Sequence, residues 1–273
     1  MKNSHLDREL SSFYHLPGGD IDGRSCRGMA CFVARNLNQD RWRQAVSEDA
    51  RVYCLGKCYA APASANEVQR PEISVQSAES IVLKRIVNGA ARRLGEYERY
   101  GRYRALEKAL VRPPNDIIAA VEASGLRGRG GAGFPSGKKW RAVSRELSPE
   151  KFVVANADEG DPGAFIDRFI VEDDPHSLVE ALAIAAYAVG ASRGYVYLRC
   201  EYPEAARSLR AAIDEARDAN LLGNRILAKE FTFDIEIVIG RGSYVCGEET
   251  ALLNSIEGRR PEVRARPPYP TTS

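Results

Sequence analysis

Hydrophobic and polar positions fall into three regimes along the chain. From residue 113 onward, helical and extended patterns alternate. Pro113-Pro114 starts a helix carrying Ile117, Ile118 and Val121, and Phe152–Ala155 is a short apolar strand. Pro175 opens an apolar helix through Ala188, and Tyr195–Arg199 alternates like a strand. Pro203–Ala219 is a charged amphipathic helix, and Phe233–Ile239 is another strand. Such alternation predicts an α/β fold, a sheet covered by helices. Residues 78–112 carry Ile81, Val82, Arg85 and Ile86 at helical spacing, then a basic, tyrosine-rich stretch, Arg92–Arg104. This predicts a helical linker and connector with a solvated face. Residues 1–77 bear cysteines and lack long helical patterns. Arg51–Cys54 and Ile73–Val75 are candidate strands there, separated by a loop of small residues and proline over Ala60–Pro71.

Composition narrows the function classes. Apolar residues make up 44% of the 273, enough for a sizeable core, and 39 basic side chains nearly balance 37 acidic ones. That balance gives no reason to expect nucleic acid or a membrane surface as partner, so the Arg/Tyr stretch reads as linker rather than an RNA strip. The most apolar run, Leu178–Val189, is shorter than the roughly 18–20 residues a membrane span needs and contains Glu180. Direct membrane insertion is therefore not expected. The N-terminus lacks the apolar core of a secretory signal. The expected location is cytoplasmic, with the six cysteines reduced, metal-bound or inert.

The densest chemical signal is Gly125–Gly137, GLRGRGGAGFPSG, with six glycines in 13 residues. Glycine at that density costs backbone entropy, and makes sense where backbone must approach a ligand closely. Arg127 and Arg129 lie inside it and Lys138 and Lys139 follow, which suits a phosphate. Gly128, Gly130 and Gly133 spell G-x-G-x-x-G, but a Rossmann turn should follow a strand and this loop follows a helix. A flexible linker is the bland alternative, and it seldom interleaves Arg, Phe, Pro and Trp. The segment Asn156–Asp161 sits after a strand, where α/β sheets place ligands; its alternative reading is an acidic turn capping the next helix. Gly247-Glu248-Glu249-Thr250 also follows a strand and opens a helix, where one carboxylate could be only a favourable N-terminal charge.

Cys26-x4-Cys31 and Cys54-x3-Cys58 form two close pairs. Four thiolates so arranged can hold [2Fe–2S] or Zn²⁺, or stay uncommitted. Cys200 and Cys246 stand alone at strand ends and read as buried core residues. No role is assigned to His5, His15 or His176.

GLRGRGGAGFPSGKKW, NADEGDPGAFIDR (156–168) and GRGSYVCGEETALLNSIEGRRP (240–261) occur in the order found in one family. The chain resembles the NADH-oxidising, FMN-binding subunit of respiratory complex I and the diaphorase subunits of NAD-linked hydrogenases and formate dehydrogenases, over most of residues 78–270. SFYHLPGG and VYCLGKCYAAP resemble the thioredoxin-like ferredoxin of the smaller complex I flavoprotein-fragment subunit. The resemblance implies a thioredoxin-like [2Fe–2S] segment at 1–77, a helical linker at 78–112, and a Rossmann-like α/β domain for FMN and NADH at 113–273.

By resemblance, Gly128, Gly130, Gly131, Lys139, Asn156, Asp158, Tyr244, Gly247 and Glu248 match flavin contacts, with Arg129 and Glu159 beside them. Phe134 and Glu249 match positions that meet the dinucleotide. Arg266 stands for a lysine, Tyr269 for a phenylalanine, Asp161 for a glutamate and Ala142 for an aromatic residue. Cys26, Cys31, Cys54 and Cys58 match the [2Fe–2S] ligands, and no [4Fe–4S] ligands are expected in this chain. The implied activity is NADH dehydrogenase of the diaphorase type: a hydride moves between NAD(H) and FMN without a protein acid or base, and single electrons pass through iron–sulfur clusters to or from other electron-transfer subunits. Relatives continue beyond the position of Ser273, so the flavin domain is expected to be incomplete. The rival expectation is a truncated, non-catalytic iron–sulfur carrier or assembly module. Either would sit in the cytoplasm, free or peripheral to a membrane complex.

Overall fold

The structure is a computed structural model and describes residues 25–37, 51–52, 55, 57–64, 76, 81–89, 91–101, 103–161, 164–241 and 243–271. In the N-terminal part, β1 (Ser25–Cys26) pairs in parallel with β2 (Arg51–Val52), and α1 (Met29–Leu37) follows β1. Arg51–Val52 fulfils part of the expected strand, while Ile73–Val75 lies outside the described residues. Cys26, Cys31, Leu55 and Ala63 form a small core of their own.

Residues 84–110 form three short helices, α2 (Lys84–Val87), α3 (Leu94–Glu98) and α4 (Arg104–Leu110). The expected solvated face does not hold here. Tyr103 and Leu106 are wholly buried, Tyr97 nearly so, and all three belong to the same core as the central sheet. Their polar atoms find partners far along the chain. Tyr97 donates to Glu180 Oε2 at 2.5 Å, and Glu180 Oε1 accepts from the backbone N–H groups of Ala105 and Leu106, capping α4. Tyr103 Oη lies 3.0 Å from His176 Nδ1. Three arginines of the basic stretch and its approach are clamped as well: Arg85 to Asp174 at 2.6 Å, Arg92 to Asp173, and Arg93 to Glu215 at 2.6 Å. Burying an aromatic side chain is worth roughly 1.5–3 kcal/mol, and a buried hydroxyl needs its hydrogen bond, so this segment is tied to the body by both.

Then come α5 (Pro114–Ala123), α6 (Ser136–Arg145), β3 (Phe152–Ala157), α7 (Ile166–Asp173), α8 (Pro175–Val189), β4 (Arg193–Arg199), α9 (Pro203–Asp218), β5 (Asp234–Gly240) and α10 (Glu249–Ile256). The strands make a parallel sheet in the order β3-β4-β5, with Val154 opposite Tyr195 and Tyr197 opposite Val238. Proline at the first position of α5, α8 and α9 starts each helix at no hydrogen-bond cost. Gly190, at φ +79°, ends α8 in the left-handed conformation, its N–H and that of Ala191 reaching Ala186 O.

One face of the sheet, carrying Val153, Ala155, Ala157, Val196, Leu198, Ile235 and Ile237, packs on α8 and α9 in the main core. The other, carrying Val154, Tyr197 and Val238, is covered by Cys246, Leu252, Leu253 and Ile256. α10 therefore lies across the carboxyl half of the strands and brings its N-terminus to the ends of β3 and β4. No helix among the described residues is long and apolar enough to cross a membrane.

Candidate functional site

The glycine loop joins α5 to α6 and closes on itself at the neck. Gly128 N–H donates to Phe134 O at 2.9 Å, Ser136 N–H to Leu126 O at 2.9 Å, and Arg127 Nε to Gly133 O at 2.6 Å. Its glycines have three different reasons to be glycine. Gly125, Gly131 and Gly133 have φ of +66°, +106° and +59°, a conformation that L side chains rarely adopt. Gly137 sits where α6 crosses α5, and a Cβ there would lie 2.7 Å from Glu122 N. Gly128 and Gly130 need neither: their φ is ordinary, a Cβ on Gly128 would make an ordinary contact, and one on Gly130 would point into open space. Nothing among the described residues requires these two to lack side chains; a molecule seated against the backbone would. Phe134 is 56% exposed on the same loop, and Arg129 is exposed.

The acidic loop at the carboxyl end of β3 is built differently. Asn156 Nδ2 donates to Gly247 O at 2.9 Å, and Asn156 Oδ1 accepts from Asp158 N–H at 3.0 Å. Gly160 packs on the Tyr244 ring, where a Cβ would come within 2.9 Å, and Tyr244 donates to Asp161 Oδ1 at 2.6 Å. That bond, with the neighbouring Asp161 charge, raises the pKa of the exposed Tyr244 phenol. Asn156, Asp161, Tyr244 and Gly247 are thus held on one surface. Asp158 is 7% exposed, and its Oδ2 has no hydrogen-bond partner among the described residues. Burial pushes its carboxyl up to about 6, against the pull of Arg199 and with the push of Glu201. A buried carboxylate oxygen without a donor is costly unless a ligand supplies one.

Glu159 points elsewhere. Its carboxylate accepts from the N–H groups of Asp167 and Arg168 at 3.2 Å each, capping α7, and from Tyr202 Oη at 3.3 Å. The acidic-turn reading of this segment holds for that side chain.

Glu248 is the N-cap of α10, its Oε2 accepting from Thr250 N–H at 2.8 Å and Ala251 N–H at 3.0 Å. Burial opposes its charge, but those bonds and Arg266 outweigh it and hold the carboxyl below its usual range. Arg266 pairs with Glu248 and, at 2.8 Å, with Glu249, whose other oxygen meets Lys139 Nζ at 2.9 Å. One chain of charges therefore runs from α6 through α10 to the C-terminal stretch. It gathers Lys139, Glu248, Glu249 and Arg266 at the start of α10. Tyr269 follows on that stretch, 55% exposed.

Three groups escaped the sequence reading: Arg199, Glu201 and Tyr202, immediately after or at the end of β4. Arg199 Nη1 donates to Glu159 O, and its guanidinium lies 5.4 Å from the Tyr202 ring centroid. A charged pair at the carboxyl end of a parallel strand was the available signal. Cys200 is half-buried rather than core, its thiol pushed up to about 12 by burial and by Glu201; Cys246 is buried as expected, in the turn Tyr244–Gly247.

Among the cysteines of the N-terminal part, Cys26 and Cys31 are buried and Cys58 is half-buried, while Cys54 lies outside the described residues. Gly28 N–H donates to Cys26 Sγ at 3.3 Å and Ala63 N–H to Cys31 Sγ at 3.4 Å. Cys31 is brought down to about 7, chiefly by its hydrogen bond with Cys26, with burial and the Cys58 charge opposing. Amides directed at sulfur suit a thiolate ligand. Among the described residues no group of three or more His, Cys, Asp or Glu is placed to hold a metal ion.

A groove of about 570 Å³ lies at the other end of the sheet, between α9 and the starts of β4 and β5. Its Arg217 is paired with Asp214 and Asp234, and it sits at the amino ends of the strands, opposite the end where such sheets bind ligands.

Residues 121–272 match the family described as the Nuo51 FMN-binding domain. Over 200 residues, 73% of this chain and 47% of the relative, the chain is 47% identical to an NADH-quinone oxidoreductase subunit of Aquifex aeolicus (strain VF5). It is 53% identical over 171 residues to the NADP-reducing hydrogenase subunit HndC of Solidesulfovibrio fructosivorans, covering 63% of this chain and 35% of that one. A crystal structure of an NAD+-reducing [NiFe]-hydrogenase in the air-oxidized state superposes with a TM-score of 0.64 at 29% identity, over 96% of this chain and 51% of that chain. The chain thus spans less than half the length of these two curated relatives.

Proposed function

This chain belongs to the Nuo51 FMN-binding domain family, and on that premise we propose that it is the flavin-holding part of an NAD(H)-linked electron-transfer subunit. When bound, FMN supplies the two-electron exchange of a hydride with NAD(H) and the release or uptake of single electrons. What supports this reading is the pair Gly128 and Gly130, for whose bare backbone the described residues give no steric reason, together with the buried Asp158 oxygen that has no donor among them.

The residues divide the work. Gly128, Gly130 and Gly131 let the backbone approach the ligand. Lys139 supplies positive charge for the flavin phosphate, with Arg129 beside it. Asn156 donates and accepts hydrogen bonds at the polar side of the cofactor, Asp158 accepts them there, and Tyr244 and Gly247 close that side. Phe134 and Tyr269 offer exposed aromatic faces to the dinucleotide. Glu248, Glu249 and Arg266 set the charge at its entrance. Holding the two rings in contact and excluding water is the protein's contribution, and no side chain acts as acid or base. Glu159 serves by shaping the loop rather than by touching the ligand.

For the N-terminal part we propose [2Fe–2S] on Cys26, Cys31, Cys54 and Cys58, passing electrons to or from partner subunits. The amides directed at Cys26 and Cys31 and the lowered Cys31 thiol support it. The test is anaerobic purification of the chain with FMN and iron, followed by visible absorption. A flavin band that bleaches with NADH is the expected result. A folded, brown protein without flavin would overturn the flavin assignment and leave an iron–sulfur carrier.

A further inference from the structure

β4 ends at Arg199, and Arg199, with Glu201 and Tyr202 just beyond the strand, forms a bracket behind the acidic loop. Arg199 grips the backbone at Glu159, forty positions earlier in the chain, through a hydrogen bond from Nη1 to the carbonyl oxygen. Glu201, 5% exposed, holds the other side of the guanidinium, Nη2 to Oε1 at 3.2 Å and Nε to Oε2 at 3.4 Å. The Tyr202 ring lies beneath the guanidinium, and its hydroxyl reaches Glu159 Oε2 at 3.3 Å. Arg168 meets the same ring at 5.2 Å and is tied to Glu172 at 2.7 Å. A guanidinium fixed on several sides has little freedom left, so the peptide it grips is fixed as well.

The same bracket sets the electrostatics at Asp158. The ionisable groups around that carboxyl are Arg199 and Glu201 at and just beyond the end of β4 and Tyr197 within β4, whose hydroxyl bonds Ser255 Oγ at 2.8 Å. Arg199 is the cation of this set, Glu201 its opposing charge. Burial drives Asp158 towards the neutral form, and Glu201 pushes the same way. A neutral Asp158 is a poorer acceptor for a hydroxyl or N–H donor than the carboxylate.

We infer, resting on the flavin reading above, that Arg199 braced by Glu201 is a positioning residue for the cofactor: it grips the Glu159 peptide and by that grip holds its positive charge beside the neighbouring buried Asp158 carboxyl that accepts from the ligand. Arg199 itself does not touch the ligand. It acts through the loop it grips.

The experiment follows the Asp158 carboxyl by ¹³C NMR in the full chain without flavin, and FMN affinity by fluorescence across pH 5.5–8. Wild type, Arg199→Gln, Arg199→Lys and Glu201→Gln are compared. In Arg199→Gln the Asp158 midpoint should rise by about one unit or more, and FMN affinity at pH 7 should fall roughly tenfold. Arg199→Lys should restore much of the midpoint but only part of the affinity, because lysine keeps the charge and loses the fork. Glu201→Gln should lower the midpoint. An unmoved midpoint in an Arg199→Gln protein that melts like wild type overturns the inference. If Arg199→Gln does not fold, an unmoved midpoint in both Arg199→Lys and Glu201→Gln overturns it instead. Failure of wild type to bind FMN would defeat the flavin reading alone, since the carboxyl titration decides the Arg199–Asp158 coupling without flavin.

Discussion

The two loops of the candidate site are built on opposite plans. The acidic loop, Asn156–Asp161, is tied to the body by Gly247, Tyr244, Arg199 and the cap on α7, and it holds a buried carboxyl oxygen with no donor among the described residues. Among the described residues the glycine loop is tied at its neck, and a Cβ on Gly130 would meet nothing within 4 Å. One loop is firmly tied and carries an unmet polar need. The other is open. On the proposed reading a ligand would complete both, at a stability cost on the acidic side and a small one on the glycine side.

The largest break in that contrast should come from the neck. Gly137→Ala places a methyl 2.6–2.8 Å from Glu122 atoms, backbone among them, and should destabilise the chain by about 3 kcal/mol in urea unfolding. Gly130→Ala, seven residues earlier in the open part, should change stability by less than about 0.5 kcal/mol. Equal losses at both positions would erase the distinction between packing glycines and ligand glycines.

Asp158 tests the acidic side. Its carboxyl is raised from the ordinary 3.8 to about 6 by burial, so between roughly pH 4 and 6 the folded chain holds a proton that the unfolded chain has lost. Stability attributable to this group therefore falls as pH rises through that window, and the whole penalty is present above it. Asp158→Asn should stabilise the flavin-free chain by roughly 2 kcal/mol at pH 8, with the gain vanishing below about pH 4, while weakening FMN binding. A loss of stability at pH 8 would show the carboxylate to be structurally satisfied.

Tyr103→Phe removes the hydroxyl at His176 and should cost about 1 kcal/mol in thermal melts, leaving flavin affinity unchanged. Glu249→Gln should also have a small effect on stability. Its partners Lys139 and Arg266 are well exposed, so stability should shift by under about 1 kcal/mol. Its consequence should fall instead on reduction of the bound flavin by NADH, read by stopped-flow. Unchanged reduction would remove Glu249 from the nucleotide site.

Much of this architecture was legible in the residues. β3, β4 and β5 follow apolar runs, and Pro114, Pro175 and Pro203 mark helix starts that the structure keeps within a residue. α6 was hidden because SGKKWRAVSR has few apolar positions, and α7 because IDRFIVED mixes charge into its buried face. Tyr97 and Tyr103 were misread as solvated because the groups that satisfy their hydroxyls, Glu180 and His176, lie more than seventy residues away. The site residues followed the same rule. The glycine density was visible, but which glycines answer to φ, to packing or to neither requires coordinates. Arg199 and Glu201 offer only a charged pair at a strand end, and their role depends on a carbonyl on another loop.

The most direct test is titration of FMN into the folded chain beside Gly130→Val, at a position where a Cβ meets nothing within 4 Å. A single saturable site in wild type, weakened at least about 100-fold in Gly130→Val with no change in melting temperature, is the predicted result. Equal affinity in the two proteins, or no saturable binding by a wild-type chain whose fold is intact, would contradict it.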